Sequence, residues 1–207
     1  MGNMLTTYEE VKAFAEAYVR PGTSGATFTV LPDLSIDVTD CYVLLGGGTL
    51  SYPLDHIPVK FIGTPESLRL FDCPLLRGLG DNLPSAVSGI YNVILCDNLE
   101  SLAGGPSSVG SFMVEDCKAL ASLEGCPRTV RDSFTPRVPV GCRLRLEHLP
   151  ESVGGDAYTY DIVPYPAFRD LLARMLEAPQ DTPLYATQGE DTLEGWMSVR
   201  LLACPEP

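Results

Sequence analysis

Apolar and polar positions alternate along this chain in short bursts that end on cysteine. Leu68, Leu70 and Cys73 form one burst, Tyr91, Val93 and Cys96 a second, and Phe112, Val114 and Cys117 a third, all spaced apolar-x-apolar-x-x-Cys. The three cysteines lie 23 and then 21 residues apart. Behind each come two leucines, a proline and a valine: Leu76, Leu79, Pro84, Val87; Leu99, Leu102, Pro106, Val109; Leu120, Leu123, Pro127, Val130. Period-two alternation predicts a strand. Recurrence of the whole phrase at a near-constant step predicts a solenoid, because a single coil cannot bury its apolar face and must stack on its neighbours.

The same template extends outward. Ile36, Val38 and Cys41 fit it, and Val59, Phe61 and Thr64 keep it 23 residues later with threonine in the cysteine slot. Leu144, Leu146 and Leu149 repeat the strand with Pro150 and Val153 behind them, and Tyr158, Tyr160 and Val163 supply one more. Between Cys117 and Leu149 the spacing stretches to 32, and Pro136 and Pro139 fall in the interval. Proline cannot donate to a strand ladder, so the repeat is expected to be broken or looped out there.

Both ends read as caps. Thr7 and Glu10 form a capping-box pair ahead of Val11, Phe14, Ala15 and Tyr18, which predicts an amphipathic helix over Thr7–Val19 ended by Pro21-Gly22. Phe168, Leu171, Leu172, Met175 and Leu176 predict a second helix over Pro166–Ala178, and two apolar stretches around Gly189-Glu190-Asp191 predict a short hairpin. The expected organisation is one domain over 1–207, with a capping helix in 1–22, a repeat solenoid in 34–163 and a C-terminal cap in 164–207.

Leu68-x-Leu70-x-x-Cys73 resembles the strand segment of a leucine-rich repeat, apolar-x-apolar-x-x-Asn/Cys. In the downstream phrase the leucine falls one residue late, at 76, 99 and 120. The chain therefore resembles a degenerate leucine-rich-repeat solenoid of the kind found in bacterial and tailed-phage proteins. That resemblance implies an α/β fold with a curved parallel sheet on one side and irregular turns on the other. It also implies protein binding and carries no active site with it.

Strand alternation sends Leu68, Leu70, Tyr91, Val93, Phe112 and Val114 inward. Outward go Arg69, Phe71, Asp72, Asn92, Ile94, Leu95, Met113, Glu115 and Asp116. Stacked coils about 4.8 Å apart would join Phe71, Ile94, Leu95 and Met113 into an apolar strip beside the carboxylates Asp72, Glu115 and Asp116. Such a strip needs a cover. The candidates are the chain's own C-terminal segment, a protein partner, or a second copy in a homodimer.

Charge narrows the function. With 27 acidic against 14 basic side chains the chain carries −13, which repels nucleic acid and anionic membranes at long range. Direct nucleic-acid or membrane binding is not expected. The excess is either a solvated acidic surface or a phosphate mimic that blocks the basic groove of a DNA- or RNA-binding defence enzyme. No basic-then-apolar leader opens the sequence and no apolar run approaches about 18 residues, so the expected compartment is the cytoplasm, the host's for a phage-encoded chain.

Candidate chemistry adds little. The 7 cysteines are an odd number and contain no Cys-x-x-Cys pair, so Cys41, Cys73, Cys96 and Cys117 read as buried packing thiols, with Cys126, Cys142 and Cys204 off the ladder. His56 and His148 lack a nucleophile motif nearby and read as surface or turn residues. Gly46-Gly47-Gly48 lacks the lysine of a phosphate loop. No metal, cofactor or catalytic residue is expected. The functional expectation is a non-enzymatic protein-binding module or inhibitor, with the nucleic-acid mimic as the alternative.

Overall fold

The structure, a computed structural model, describes residues 4–46, 54–137, 144–145, 148–158, 162–164, 184–188 and 197–201. Helix α1 (Tyr8–Tyr18) starts as its capping box predicts. The Thr7 hydroxyl accepts from the Glu10 N–H at 3.3 Å, and the Glu10 carboxylate accepts from the Thr7 N–H at 3.1 Å. Two amides that a helix start leaves unpaired are thereby satisfied. The helix buries Val11, Ala15 and Tyr18, ends at Tyr18 ahead of Pro21-Gly22, and passes straight into a short extended strand. Arg20, just past the helix, donates to the Glu16 carbonyl at 2.9 Å, where a cation suits the negative end of the dipole.

The strands that follow are β1 (Val19–Arg20), β2 (Thr29–Val30), β3 (Ile36–Asp37), β4 (Tyr42–Gly46), β5 (Phe61–Ile62), β6 (Ser67–Phe71), β7 (Ile90–Ile94), β8 (Ser108–Val109) and β9 (Ser111–Glu115). Then come β10 (Thr129–Val130), β11 (Phe134–Arg137), β12 (Leu144–Arg145), β13 (Ser152–Val153), β14 (Asp156–Tyr158), β15 (Ile162–Pro164), β16 (Leu184–Gln188) and β17 (Met197–Leu201). An eight-stranded sheet runs β1-β4-β6-β7-β9-β11-β14-β15, parallel from β4 to β14 and closed at each end by an antiparallel strand. Among the described residues the fold is a mostly β solenoid of about four turns with one helix.

Register explains the bursts. Val43, Leu68, Tyr91, Phe112 and Phe134 stack in one inward row, and Leu45, Leu70, Val93, Val114 and Pro136 in the next. Both rows are buried throughout. The Tyr91, Phe112 and Phe134 rings stack at centroid distances of 5.2 and 5.9 Å. Burying each large side chain is worth about 1.5–3 kcal/mol, so the rungs hold one another in register. The downstream phrase has its own place: Val109, Val130 and Val153 lie in a second parallel sheet, β8-β10-β13.

Three expected strands are placed differently. Ile36, Val38 and Cys41 are buried, but Ile36–Asp37 pairs with β2 and β5 in a separate small sheet, and Thr64 is exposed. The main-sheet rung of that coil is β4, which follows Cys41, because Asp40 adopts φ 56° and turns the chain before it. Burial alone produced the spacing; the coil has more than one inward-facing side.

The interval around Pro136 is a full rung, not a break. The Ser133 carbonyl accepts from Phe112 N at 2.8 Å, so alternation turns Thr135 and Arg137 toward β9 and Phe134 and Pro136 toward β14. On that side only Phe134 is paired, with Ala157, so the N–H that Pro136 lacks interrupts nothing. Leu144–Arg145, expected as a solenoid rung, instead pairs antiparallel with β16. The rung after β11 is β14, and Tyr158 faces Ile162 across an antiparallel pair that ends the sheet. The C-terminal hairpin is present as β16 and β17. The helix expected over 166–178 lies outside the described residues, as do Leu146 and Tyr160.

Candidate partner-binding face

On the outer face of the main sheet three rows run across the strands. They are Tyr42-Ser67-Ile90-Ser111, Leu44-Arg69-Asn92-Met113-Thr135 and Gly46-Phe71-Ile94-Glu115-Arg137. Phe71 and Ile94 are neighbours in the third row, with Leu95 just beyond Ile94. Met113 falls in the middle row, beside Asn92 and diagonal to Ile94, so the expected strip is a two-row patch. Phe71 is 46% exposed and Leu95 39%, while Ile94 and Met113 are half-buried. Leu44 at 37% and Ile90 at 40% belong to the same patch.

Sequence reasoning missed Leu44 because it placed that rung at Ile36–Val38. The available signal was Val43 and Leu45, which alternate like Leu68 and Leu70 and lie 25 residues before them. Ile90 was missed because it precedes the burst beginning at Tyr91. The patch is open over β4, β6 and β7 and shut at β11, where Thr135 is only 5% exposed.

Strands β6, β7 and β9 are each followed by a residue in left-handed backbone, Asp72 at φ 52°, Leu95 at 57° and Asp116 at 52°, and Asp40 at 56° holds the same place before Cys41. That corner turns the cysteine inward while its own amide continues the ladder, Asp72 N to Ile94 O and Leu95 N to Glu115 O, both at 3.0 Å. Aspartate tolerates this region, whereas a leucine there costs about 1–2 kcal/mol. Leu95 therefore places an exposed apolar side chain on a strained corner that its counterparts occupy with aspartate. Asp72 is exposed and Asp116 half-buried, flanking it on either side.

Glu115 does not extend a free acidic row. It pairs with Arg137, one coil on, at 2.8 Å. Other carboxylates bridge coils in the same way: Glu100 with Arg77 at 3.9 Å, Asp97 with Lys118 at 2.6 Å and Glu151 with Arg128 at 3.8 Å. Arg69 in the middle of the patch has a different partner, the Ser67 hydroxyl, which accepts from its Nε at 3.3 Å. Beside it, Leu44, Gly46, Phe71, Asn92 and Ile94 border a shallow depression of about 360 Å³.

The cysteine ladder is a packing and hydrogen-bonding device. Cys73 donates to Leu45 O at 3.6 Å, Cys96 to Leu70 O at 3.9 Å and Cys117 to Val93 O at 3.7 Å, each carbonyl belonging to the preceding coil. Hydrogen bonding to Cys96, then burial, pushes the Cys73 and Cys117 thiols up. Cys96 is drawn the other way by contacts with Cys117 and Cys73. Its own S–H is directed at the Leu70 and Ile94 carbonyls, and among the described residues no cation is paired with it. Off the ladder, Cys126 is half-buried, donates to the His148 carbonyl, and is pushed up to about 12 by burial. Cys142 and Cys204 lie outside the described residues.

His148 is exposed, and His56 is half-buried with its Nδ1 2.5 Å from Asp55. Among the described residues no cluster of three or more His, Cys, Asp or Glu is arranged to hold a metal ion. Among them, too, no helix is long and apolar enough to cross a membrane. Comparison with protein-family models, with curated proteins and with solved structures finds no match for this chain.

Proposed function

We propose that this chain is a non-enzymatic binding module, a leucine-rich-repeat-like solenoid that grips a protein partner with the outer face of β4, β6 and β7. The observation that carries this reading is the joint exposure of Leu44, Phe71, Ile90 and Leu95 on one face, with Leu95 held in a strained backbone. A soluble domain gains nothing for its own fold from that arrangement, and strain of this kind collects at functional surfaces. A phage-encoded binder or inhibitor of a host protein, working in the host cytoplasm, suits such a module. The rival reading, a nucleic-acid mimic, draws on the net charge of −13. It has less support, because Glu100, Asp97, Glu151 and Glu115 are partnered across coils by cations.

Affinity capture from the native host tests the proposal. Phe71→Glu combined with Ile94→Glu should abolish capture of the partner, with circular dichroism unchanged. Retained capture would remove this face from consideration. Salt separates the rival: a mimic's affinity falls steeply with ionic strength, whereas an apolar grip barely responds.

A further inference from the structure

The outer face also indicates what chemistry the partner brings, an inference that rests on the sheet-face reading above. We propose that the depression over Gly46 receives the carboxyl terminus of a partner chain, with an apolar last side chain and a free carboxylate. Three independent features meet at this spot.

The first is shape. Gly46 sits at φ 88°, and a Cβ added there would stand 2.2 Å from the Phe71 carbonyl oxygen and 2.5 Å from the Cys73 sulfur. No side chain of this position can fill the hollow in this backbone. Leu44, Phe71 and Ile94 make its apolar walls, and a volume of about 360 Å³ leaves ample room for an apolar side chain to enter.

The second is charge. Arg69 borders the depression, and its Nε is oriented by Ser67, while its remaining N–H donors meet no acceptor among the described residues. The other arginine of this face, Arg137, is already paired with Glu115. A guanidinium so placed matches a carboxylate, and the Asn92 amide beside it can add a hydrogen bond. The chain's charge of −13 disfavours a partner with many carboxylates, but one terminal carboxylate meets that field only once.

The third is a sheet edge. Strand β1 pairs only with Tyr42 and Val43, so Leu44, Leu45 and Gly46 have no strand beside them on that side among the described residues. The Cys41 carbonyl accepts from Glu66 N at 2.9 Å and so faces β6. Alternation then directs the amide and carbonyl of Leu44 and the amide of Gly46 to the unpaired side. An extended segment can pair there, its last side chain entering the depression and its carboxylate reaching Arg69.

Fluorescence anisotropy with a labelled hexapeptide ending in Val-Phe tests this, comparing the free acid with the carboxyl-terminal amide and using decanoate as competitor. The acid should bind about tenfold more tightly than the amide, the loss expected for one charge-assisted hydrogen bond. Arg69→Gln should erase that difference while leaving the thermal midpoint unchanged. Equal binding of acid and amide, no binding of either, or an undiminished preference in Arg69→Gln would overturn the proposal. So would displacement by decanoate at concentrations matching unlabelled peptide, which would assign the site to small carboxylates. If the peptide fails while Phe71→Glu with Ile94→Glu still abolishes partner capture, the sheet-face reading stands and only the carboxylate falls. Intact capture in that double variant would remove both.

Discussion

The two faces of one sheet differ more than any two ends of this molecule. Inward, every rung is apolar and most repeat their neighbour's type: aromatic on aromatic from Tyr91 to Phe134, aliphatic on aliphatic from Leu45 to Val114, thiol beside thiol from Cys73 to Cys117. Outward, the rows change character from rung to rung, from Leu44 through Arg69 and Asn92 to Met113, and from Phe71 and Ile94 to an ion pair. Stacking explains the first pattern, since a coil that departs from its neighbour's shape opens a void between two layers. Among the described residues the outer face has no such neighbour to satisfy. Its apolar content over β4, β6 and β7 is therefore not dictated by the stacking of coils.

Equivalent truncations on the two faces break this contrast most directly. Phe112→Ala should cost about 3–5 kcal/mol in urea unfolding, because it removes the middle ring of the ladder. Phe71→Ala should stay within about 0.5 kcal/mol. Similar losses at both positions would mean that Phe71 serves the core.

A pH titration sharpens the inner side. Folding holds the Cys73, Cys117 and Cys126 thiols above their ordinary range, so the folded chain keeps protons that the unfolded chain releases from about pH 8.5. Their contribution is fully present below that pH and is lost as pH rises toward about 12, where Cys126 ionises in the fold. The expected loss is about 1.4 kcal/mol per thiol for each pH unit above the unfolded range, read as a falling urea midpoint between pH 8 and 10. A flat profile would show that the thiols are not shielded.

The smallest expected effect separates the faces by sign. Leu95→Asn relieves the left-handed leucine and should stabilise the chain by about 1 kcal/mol. The same change should weaken partner capture. Stabilisation with capture unaffected would leave the corner strained for no partner.

Much of the inner face was legible from residues alone. Leu68, Leu70, Tyr91, Val93, Phe112 and Val114 were assigned inward from period two, and Thr7 with Glu10 marked the helix start. The outer face was legible only where the register was right: Phe71, Ile94, Leu95, Asp72 and Asp116 emerged, whereas Leu44 did not. Two segments, Ile36–Cys41 and Tyr42–Gly46, both alternate in burial, and nothing local says which one joins the main sheet. Pro136 misled for the same reason, because its missing N–H matters only on a side where a partner strand runs.

By itself the sequence determined that the chain coils, how long its central coils are, and which of their side chains face the shared core. Those features are local and periodic, and burial writes them into every turn. Only the tertiary structure decided which buried segment forms each rung, that Glu115 faces Arg137, and that Gly46 opens a hollow beside Arg69. These depend on residues 22–25 positions apart meeting across stacked coils, where a change of one or two residues in coil length brings different side chains together.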